Sequence, residues 1–239
     1  MKIKVVNTAN QAKDIDFDGH IAVVIDVLRA TSVITTALEN GANSVIPVET
    51  VEEAQSLYAA SDPKKTLRGG ERHAVKIEGF DLGNSPLEYK PKTVESKDVI
   101  LTTTNGTQAI QSVKSAAKIV LACLRNAAAV AEILIREDKD VVIICAGTEG
   151  NFSLDDGLCA GYLLHLLKEK AAIETDDYGI LLECFYRHSA ERLMDSLSDC
   201  FHVKRLKVLG FSDDIMFCLQ ANSSRCVPVE QQGRITRLR

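Results

Sequence analysis

Long apolar runs are missing from the sequence, and with them the pattern of a membrane protein. No stretch of the 239 residues approaches the roughly 18 to 20 apolar residues that a transmembrane helix needs. The first six residues, MKIKVV, lack the apolar core of a signal peptide. We therefore expect a cytoplasmic protein with no membrane partner.

An excess of basic residues is also missing. The chain has 28 Lys and Arg against 33 Asp and Glu, which gives a formal net charge of −5 at pH 7. Broad, non-specific binding of DNA or RNA requires a basic surface. The charge balance therefore argues against a nucleic-acid partner.

Paired cysteine motifs are absent as well. The seven cysteines are odd in number, and no two of them have the C-x₂-C spacing of a zinc knuckle or a redox motif. Most of them lie within apolar runs, where a reduced thiol behaves as a small hydrophobic side chain. We assign no chemistry to any of them.

The sequence does contain short apolar runs that alternate with helical patterns. Hydrophobic residues make up 46% and charged residues 26%, as is usual for a globular protein. The run Ile21–Ile25 (IAVVI) is typical of a strand buried on both faces, and similar strands are expected at residues 44–48, 99–103, 118–121 and 140–145. Helices are expected at residues 31–40, 50–60, 126–136 and 154–170, after Gly106, and in the amphipathic stretch 178–197. This alternation predicts an α/β fold with a largely parallel sheet covered on both faces.

Two further features complete the organisation. Residues 226–229 and 234–238 are expected to form one or two edge strands, with antiparallel pairing open to them. Residues 69–97 contain four glycines and two prolines and read as a long loop after a strand at residues 65–68. Loops of this length inside a compact domain are usually functional or disordered, and the defined polar and aromatic content favours a functional loop. We expect one domain over residues 1–239.

The segments that follow three of the expected strands carry the candidate chemistry. They are DVLRATS at residues 26–32, TNGT at residues 104–107 and AGTEGNFSLDD at residues 146–156. Ligands of open parallel sheets bind beyond the carboxyl ends of the strands. If the strands are parallel, the three segments open on one edge and offer carboxylates, an arginine, hydroxyls and glycine turns. This combination suits a phosphorylated anion bound with a divalent cation.

Each of these residues also has a purely structural interpretation. Asp26 could be a turn or cap residue, Arg29 a surface residue, and Thr31 or Ser32 the N-cap of a helix. Asn105-Gly106 could be a simple turn. Ser153-Leu154-Asp155-Asp156 matches a capping box, although two tandem acids beside a glycine-rich loop also suit a metal. Among the five histidines, His73 is the best candidate because it lies in the long loop, whereas His165 fits a packed helix position.

Two familiar phosphate-handling motifs do not fit. Haloacid dehalogenase phosphatases place a second Asp two residues after the nucleophilic Asp, and here that position is Leu28. The turn Gly69-Gly70-Glu71-Arg72 is not followed by the G-K-[ST] of a Walker A loop.

Five segments in order resemble one particular family. They are DVLRATS at 26–32, GER at 70–72, GFDLGNSP at 79–86, TTNGT at 103–107 and FSLDD at 152–156, and Asp213-Asp214-Ile215 and Val227-Pro228 also fit. Together they resemble the 2-phosphosulfolactate phosphatases over residues 20–230. The resemblance implies a three-layer α/β/α fold and a Mg²⁺-dependent acid phosphatase. The named reaction releases phosphate from 2-phosphosulfolactate and gives sulfolactate, a step toward coenzyme M.

On this interpretation, Mg²⁺ is the cofactor and some of four acids hold it: Asp26, Glu71, Asp155 and Asp156. The first three are also the expected catalytic residues. Arg29 and Arg72 are expected to bind the oxyanions of the substrate, because a guanidinium makes forked contacts with such groups. The full set expected to bind substrate is Arg29, Thr31, Ser32, Arg72, Asn84, Thr104, Asn105, Gly106 and Thr107.

Several alternatives stay open at the level of sequence. The attacking group is either water or a carboxylate such as Asp26, with water favoured by Leu28 at the second position. The partner is a small anionic phosphorylated substrate, and a homo-oligomer is one of the possible assemblies. The chain could instead be a non-catalytic module that binds a phosphorylated metabolite, or a phosphatase of another three-carbon or sugar phosphate.

Overall fold

The fold is built on one mixed β-sheet. The computed structural model describes residues 1–238. Within them, eleven strands join into a single sheet. The strands are β1 (Lys2–Val6), β2 (Ile21–Ile25), β3 (Ser44–Pro47), β4 (Thr66–Arg72), β5 (Val75–Lys76), β6 (Asp98–Thr102), β7 (Lys118–Ala122), β8 (Val141–Cys145), β9 (Glu174–Thr175), β10 (Pro228–Gln231) and β11 (Arg234–Arg237).

Helices connect most of these strands. They are α1 (Ala9–Ala12), α2 (Ala30–Glu39), α3 (Val51–Ala59), α4 (Pro91–Val94), α5 (Gly106–Ser112), α6 (Ala127–Glu137), α7 (Leu154–Lys170), α8 (Asp177–Ser189), α9 (Leu193–Ser196), α10 (Phe201–Val208) and α11 (Ser212–Cys218). Short 3₁₀ turns lie at Pro86–Glu88 and Leu124–Asn126. No helix within residues 1–238 is both long enough and apolar enough to cross a membrane.

Alternate residues of the central strand β2 point into two different hydrophobic clusters. Ile21, Val23 and Ile25 pack in one cluster, together with leucines of α7. Ala22 and Val24 pack in the other, together with apolar residues of α2. Successive side chains of a strand point to opposite faces of the sheet, so each face is covered by its own layer of helices. This confirms the predicted α/β fold with helices on both sides of a largely parallel sheet.

The C-terminal strands correct one prediction. The sheet order is β5-β4-β6-β3-β11-β10-β7-β2-β8-β1-β9, so the hairpin of β10 and β11 lies inside the sheet rather than at its edge. Ile235 of β11 pairs with Val45 of β3, and Val229 of β10 pairs with Val120 of β7. Val229 and Ile235 are buried, since each has a neighbouring strand on both sides. The expectation of edge strands was wrong because strand pairing is set by contacts remote in sequence.

The hairpin divides the sheet into two groups. Strands β4, β6 and β3 are parallel to one another, and so are β7, β2, β8, β1 and β9. The pairings from β3 through β11 and β10 to β7 are all antiparallel. Three reversals mean that the two groups run in opposite senses along the sheet, which is therefore mixed although largely parallel, as predicted.

The expected long loop is shorter and more regular than predicted. Strand β4 extends through Arg72, and the following residues include β5, a 3₁₀ turn and α4. The amphipathic stretch 178–197 forms two helices, α8 and α9. The predicted bounds of β2 and α7 agree with the structure. All seven cysteines are free thiols, six of them buried, as their positions in apolar runs predict.

Candidate active site

One cleft collects the loops that follow four strands, β2, β4, β6 and β8, together with the first turns of α10. Including its open mouth, it encloses about 410 Å³ of space. The cleft is lined by Asp26, Leu28, Arg29, Glu71, His73, Ala74, Asn84, Thr104, Asn105, Thr148, Glu149, His202 and Arg205.

Gly106 lets loops from the two strand groups meet. A Cβ added at this position would lie within 2.5 Å of Asp26 Oδ2 and closer still to the Cβ of Ala30. The backbone after β6 therefore lies directly against the loop after β2, and only glycine leaves the space for this approach. Gly106, predicted to bind substrate, does not line the cleft; it permits the close contact that forms it.

Asp26 follows β2 and is held by the start of α2. Its Oδ1 accepts a hydrogen bond of 3.0 Å from the backbone N–H of Ala30. Burial, together with the negative charges of Asp155 and Glu71, raises the pKa of Asp26 to about 7, although the Ala30 N–H and the positive charge of Arg29 lower it. Asp26 is therefore a buried acid whose negative charge a cation in the cleft would stabilise.

The side chains of Glu71 and Arg72, adjacent on β4, point to opposite sides of the strand. Glu71 lines the cleft, where its Oε1 accepts from Thr104 N–H at 2.7 Å and its Oε2 from Ala74 N–H at 2.6 Å. The Arg72 guanidinium instead donates to the backbone oxygens of Glu71 and Glu49 and to the hydroxyl of Thr102. Consecutive residues of a strand point to opposite sides, so Arg72 cannot reach the cleft when Glu71 does. The structure therefore does not bring Arg72 to the site.

Arg29 lines the cleft and is held on all sides. Its Nη1 donates to Asp214 Oδ2 at 2.6 Å and its Nη2 to the carbonyl of Ala74 at 3.1 Å. The guanidinium also lies 4.1 Å from the ring centroid of Phe211. Ser85 donates its hydroxyl to the other oxygen of Asp214 at 2.7 Å. Arg29 is thus not a loose surface residue but a fixed, buried cation beside Asp26.

Asp155 and Asp156 lie in the first turn of α7, behind the cleft rather than in its wall. Asp156 accepts backbone hydrogen bonds from Val27 at 2.9 Å and Gly147 at 3.0 Å, and so ties together the loops after β2 and β8. Burial raises the pKa of Asp156, and the charges of Asp155 and Asp26 raise it further. Asp155 Oδ1 accepts from the hydroxyl of Ser153, and its Oδ2 lies 3.8 Å from Nδ1 of His202. Asp156 therefore holds the loops that carry cleft residues, and Asp155 lies against His202, which lines the cleft.

Three hydroxyls predicted to bind substrate are buried in the loops themselves. Thr31 Oγ1 donates to the carbonyl of Asp26 at 2.8 Å, and Ser32 Oγ donates to the carbonyl of Val27 at 2.8 Å. Thr107 Oγ1 donates to the carbonyl of Thr103 at 2.9 Å at the start of α5. These hydroxyls stabilise the turns that place Asp26 and the loop after β6, and they do not line the cleft.

Asn84, Thr104 and Asn105 do line the cleft, as predicted. Asn105 Oδ1 accepts from the backbone N–H of Glu149 at 3.1 Å and so links the loops after β6 and β8. Within residues 1–238, Asn84 Oδ1 and Thr104 Oγ1 are buried without a hydrogen-bond partner. A buried polar atom without a partner is costly, so both atoms suit a ligand or a water in the cleft.

His202 and Arg205 reach the cleft from α10, which no motif in the sequence predicts. They lie among alternating charged and apolar residues that read as an ordinary surface helix. Burial lowers the pKa of His202; the negative charge of Asp155 raises it, and the positive charges of Arg29 and Arg205 lower it. His73, singled out from the long loop, also lines the cleft. Only the packing of α10 against the strand ends could have identified the other two.

Two of the four predicted metal ligands lie in the cleft wall. Asp26 and Glu71 both line the cleft, and Mg²⁺ is commonly held by one or two carboxylates while it keeps several waters. Across residues 1–238, no group of three or more His, Cys, Asp or Glu side chains is arranged to hold a metal ion. The raised pKa of Asp26 beside Glu71 fits a site that a cation completes. The magnesium site itself stays a prediction.

The family model and the curated proteins that match this chain carry the same description. The family model described as 2-phosphosulpholactate phosphatase matches residues 6–233. A protein from Caldanaerobacter subterraneus subsp. tengcongensis is 47% identical over 98% of this chain and 97% of its own length. Proteins from Clostridium botulinum strain Alaska E43 and Clostridium perfringens strain SM101 are 41% and 45% identical, over 100% and 93% of this chain and 100% and 90% of their own lengths. All three carry the name "Probable 2-phosphosulfolactate phosphatase".

Proposed function

The chain belongs to the 2-phosphosulfolactate phosphatase family, and on that premise we propose that it hydrolyses 2-phosphosulfolactate or a similar small phosphorylated acid. Water adds to phosphorus, the bond between phosphorus and the ester oxygen breaks, and that oxygen takes up a proton. The products are inorganic phosphate and the free hydroxy acid, sulfolactate in the named case. The reaction requires Mg²⁺.

One observation carries this proposal: two buried carboxylates and two guanidiniums line the same cleft. Asp26 and Glu71 supply the carboxylates, and Arg29 and Arg205 supply the guanidiniums. A module that only bound an anion would gain nothing from buried acids facing the ligand, because like charges repel it. Acids beside fixed cations are instead the equipment of phosphoryl transfer, where a metal and positive side chains stabilise charge.

We assign Mg²⁺ to Asp26 and Glu71. When bound, the ion would neutralise phosphoryl oxygens and orient the reacting groups. The backbone N–H groups of Ala30, Thr104 and Ala74 fix the two carboxylates for this task, since each donates to one of their oxygens. Arg29, held by Asp214, adds a permanent positive charge beside them.

The remaining cleft residues suit the substrate and the attacking water. The Thr104 hydroxyl can donate to a phosphoryl oxygen, and Asn84 Oδ1 can accept from a water; neither has a partner within residues 1–238. Leu28 lines the cleft at the position where a haloacid dehalogenase phosphatase has its second acid. We therefore assign the attack to water rather than to Asp26.

The test is phosphate release from a panel of phosphorylated three-carbon acids, sugar phosphates and p-nitrophenyl phosphate. Asp26→Asn removes a charge and little volume, so we expect kcat/KM to fall by about a hundredfold or more. The matched control is Asp14→Asn, which makes the same change at an exposed position and should leave the rate unaltered. Tight binding of these compounds without phosphate release would instead identify a binding module, and full activity of Asp26→Asn would remove Asp26 from the chemistry.

A further inference from the structure

The two arginines of the cleft differ in how they are held. The Arg29 side chain is 2% exposed and is engaged by Asp214, by the carbonyl of Ala74 and by the ring of Phe211. The Arg205 side chain is 23% exposed, and its Nη1 donates to Oε1 of Glu149. Within residues 1–238 this is the one hydrogen bond recorded for the Arg205 guanidinium, so its other N–H groups can serve a ligand.

Glu149 fixes the position of Arg205 over the cleft. Glu149 lies in the turn after β8, and its backbone N–H donates to Asn105 Oδ1 in the loop after β6. The side chain of Glu149 is 49% exposed. Ion pairs exposed to this degree contribute little net stability. The pair orients the guanidinium of Arg205 and leaves its other N–H groups available. A second oxyanion can therefore bind the same planar fork.

Arg205 belongs to α10, whereas the two carboxylates come from the loop after β2 and from β4. Arg29 lies near Asp26, whose pKa its positive charge lowers. Arg205 enters the cleft from α10 together with His202 of the same helix, and its ion-pair partner Glu149 lies in the turn after β8. With the phosphoryl group placed beside Asp26, Glu71 and Arg29, Arg205 is left for the rest of the substrate.

We propose that Arg205 binds the carboxylate or sulfonate that the substrate retains, and that Glu149 positions it for this contact. This inference rests on the proposed phosphatase function and narrows its substrates to phosphorylated small acids with at least one further oxyanion. The guanidinium suits both candidate groups because its parallel N–H donors match two oxygens of a carboxylate or sulfonate. Arg205 takes the role that the sequence assigned to Arg72.

The experiment measures two inhibitors of p-nitrophenyl phosphate hydrolysis. Sulfolactate carries the retained oxyanions but no phosphoryl group, whereas inorganic phosphate represents the transferred group alone. In Arg205→Met we expect the inhibition constant of sulfolactate to rise by about tenfold to a hundredfold, the usual effect of losing a charge-assisted contact. The inhibition constant of inorganic phosphate should change by less than about threefold.

The control is Arg225→Met, which removes another arginine paired with a glutamate, Glu132, at a position 80% exposed. It should alter neither constant. An equal rise of both constants in Arg205→Met, or no rise in either, would overturn the assignment of Arg205. Calorimetric titration of wild type and Arg205→Met with sulfolactate makes the same comparison without turnover. A wild-type protein that binds sulfolactate but hydrolyses none of the phosphate esters would contradict the proposed function and leave the role of Arg205 measurable.

Discussion

At the scale of single residues, the buried charge of Arg29 depends on one partner, Asp214. The Arg29 side chain is buried, and its charge is balanced by Asp214, which lies 185 positions away in sequence. Because Asp214 also accepts from Ser85, one carboxylate joins the loop after β2, the segment before the first 3₁₀ turn and α11. Asp214 of the late Asp213-Asp214 pair is therefore a structural support of the cleft.

Asp214→Asn should destabilise the protein. Removal of one partner from a buried ion pair leaves the other charge uncompensated, and such changes typically cost about 3–5 kcal/mol in the free energy of unfolding. Urea denaturation of the variant measures this loss. Asp213→Asn, the same change at the exposed neighbouring position, should stay within about 0.5 kcal/mol of the wild type. A loss below about 1 kcal/mol in Asp214→Asn would show that Arg29 does not depend on this carboxylate.

The sequence motifs identified some of the residues that line the cleft and missed others. The motifs identified Asp26, Glu71 and Asn105 because polar residues after buried strands gather where ligands bind. They could not separate Glu71 from Arg72, since alternation along a strand says that the two diverge but not which one faces the cleft. Nor could they identify Arg205, whose role depends on where α10 packs and not on its neighbours in sequence.

At the scale of elements, the hairpin of β10 and β11 bridges the two strand groups. Its sequence predicts strands, because local composition suffices for that. Its place in the sheet depends on partners more than 100 residues away, such as Val120 for Val229. The central strand β2 and helix α7 were predicted with correct bounds because burial on both faces and a Ser-Leu-Asp-Asp helix start leave strong local patterns. The predicted capping box itself does not form, since the Ser153 side chain makes no capping bond and donates to Asp155.

Ile235→Ala tests the central position of this hairpin. Ile235 is fully buried on β11 between β3 and β10, so truncation should cost about 2–5 kcal/mol in the free energy of unfolding. Arg237→Ala, at an exposed position on the same strand, should cost less than about 1 kcal/mol. Urea denaturation of both variants gives the comparison. Similar small losses in the two would mean that β11 lies at an edge, as the sequence suggested.

At the scale of the whole molecule, the site exists because loops that follow strands of both groups meet in one cleft. The contact of Gly106 with the loop that carries Asp26 is the closest of these approaches. Hydrogen bonds from Thr104 to Glu71 and from Glu149 to Asn105 extend it to the loops after β4 and β8. The carboxylates proposed to share Mg²⁺ thus come from different strand groups, and the ion would complete the junction between them.

Magnesium dependence tests this account most directly. Protein treated with EDTA should release phosphate from 2-phosphosulfolactate at no more than the background rate, and added Mg²⁺ should restore the rate. The loss is expected because the facing carboxylates of Asp26 and Glu71, without a cation, repel an anionic substrate. The full rate of phosphate release in EDTA would contradict the account and leave Asp26 and Glu71 as residues that only hold the loops in place.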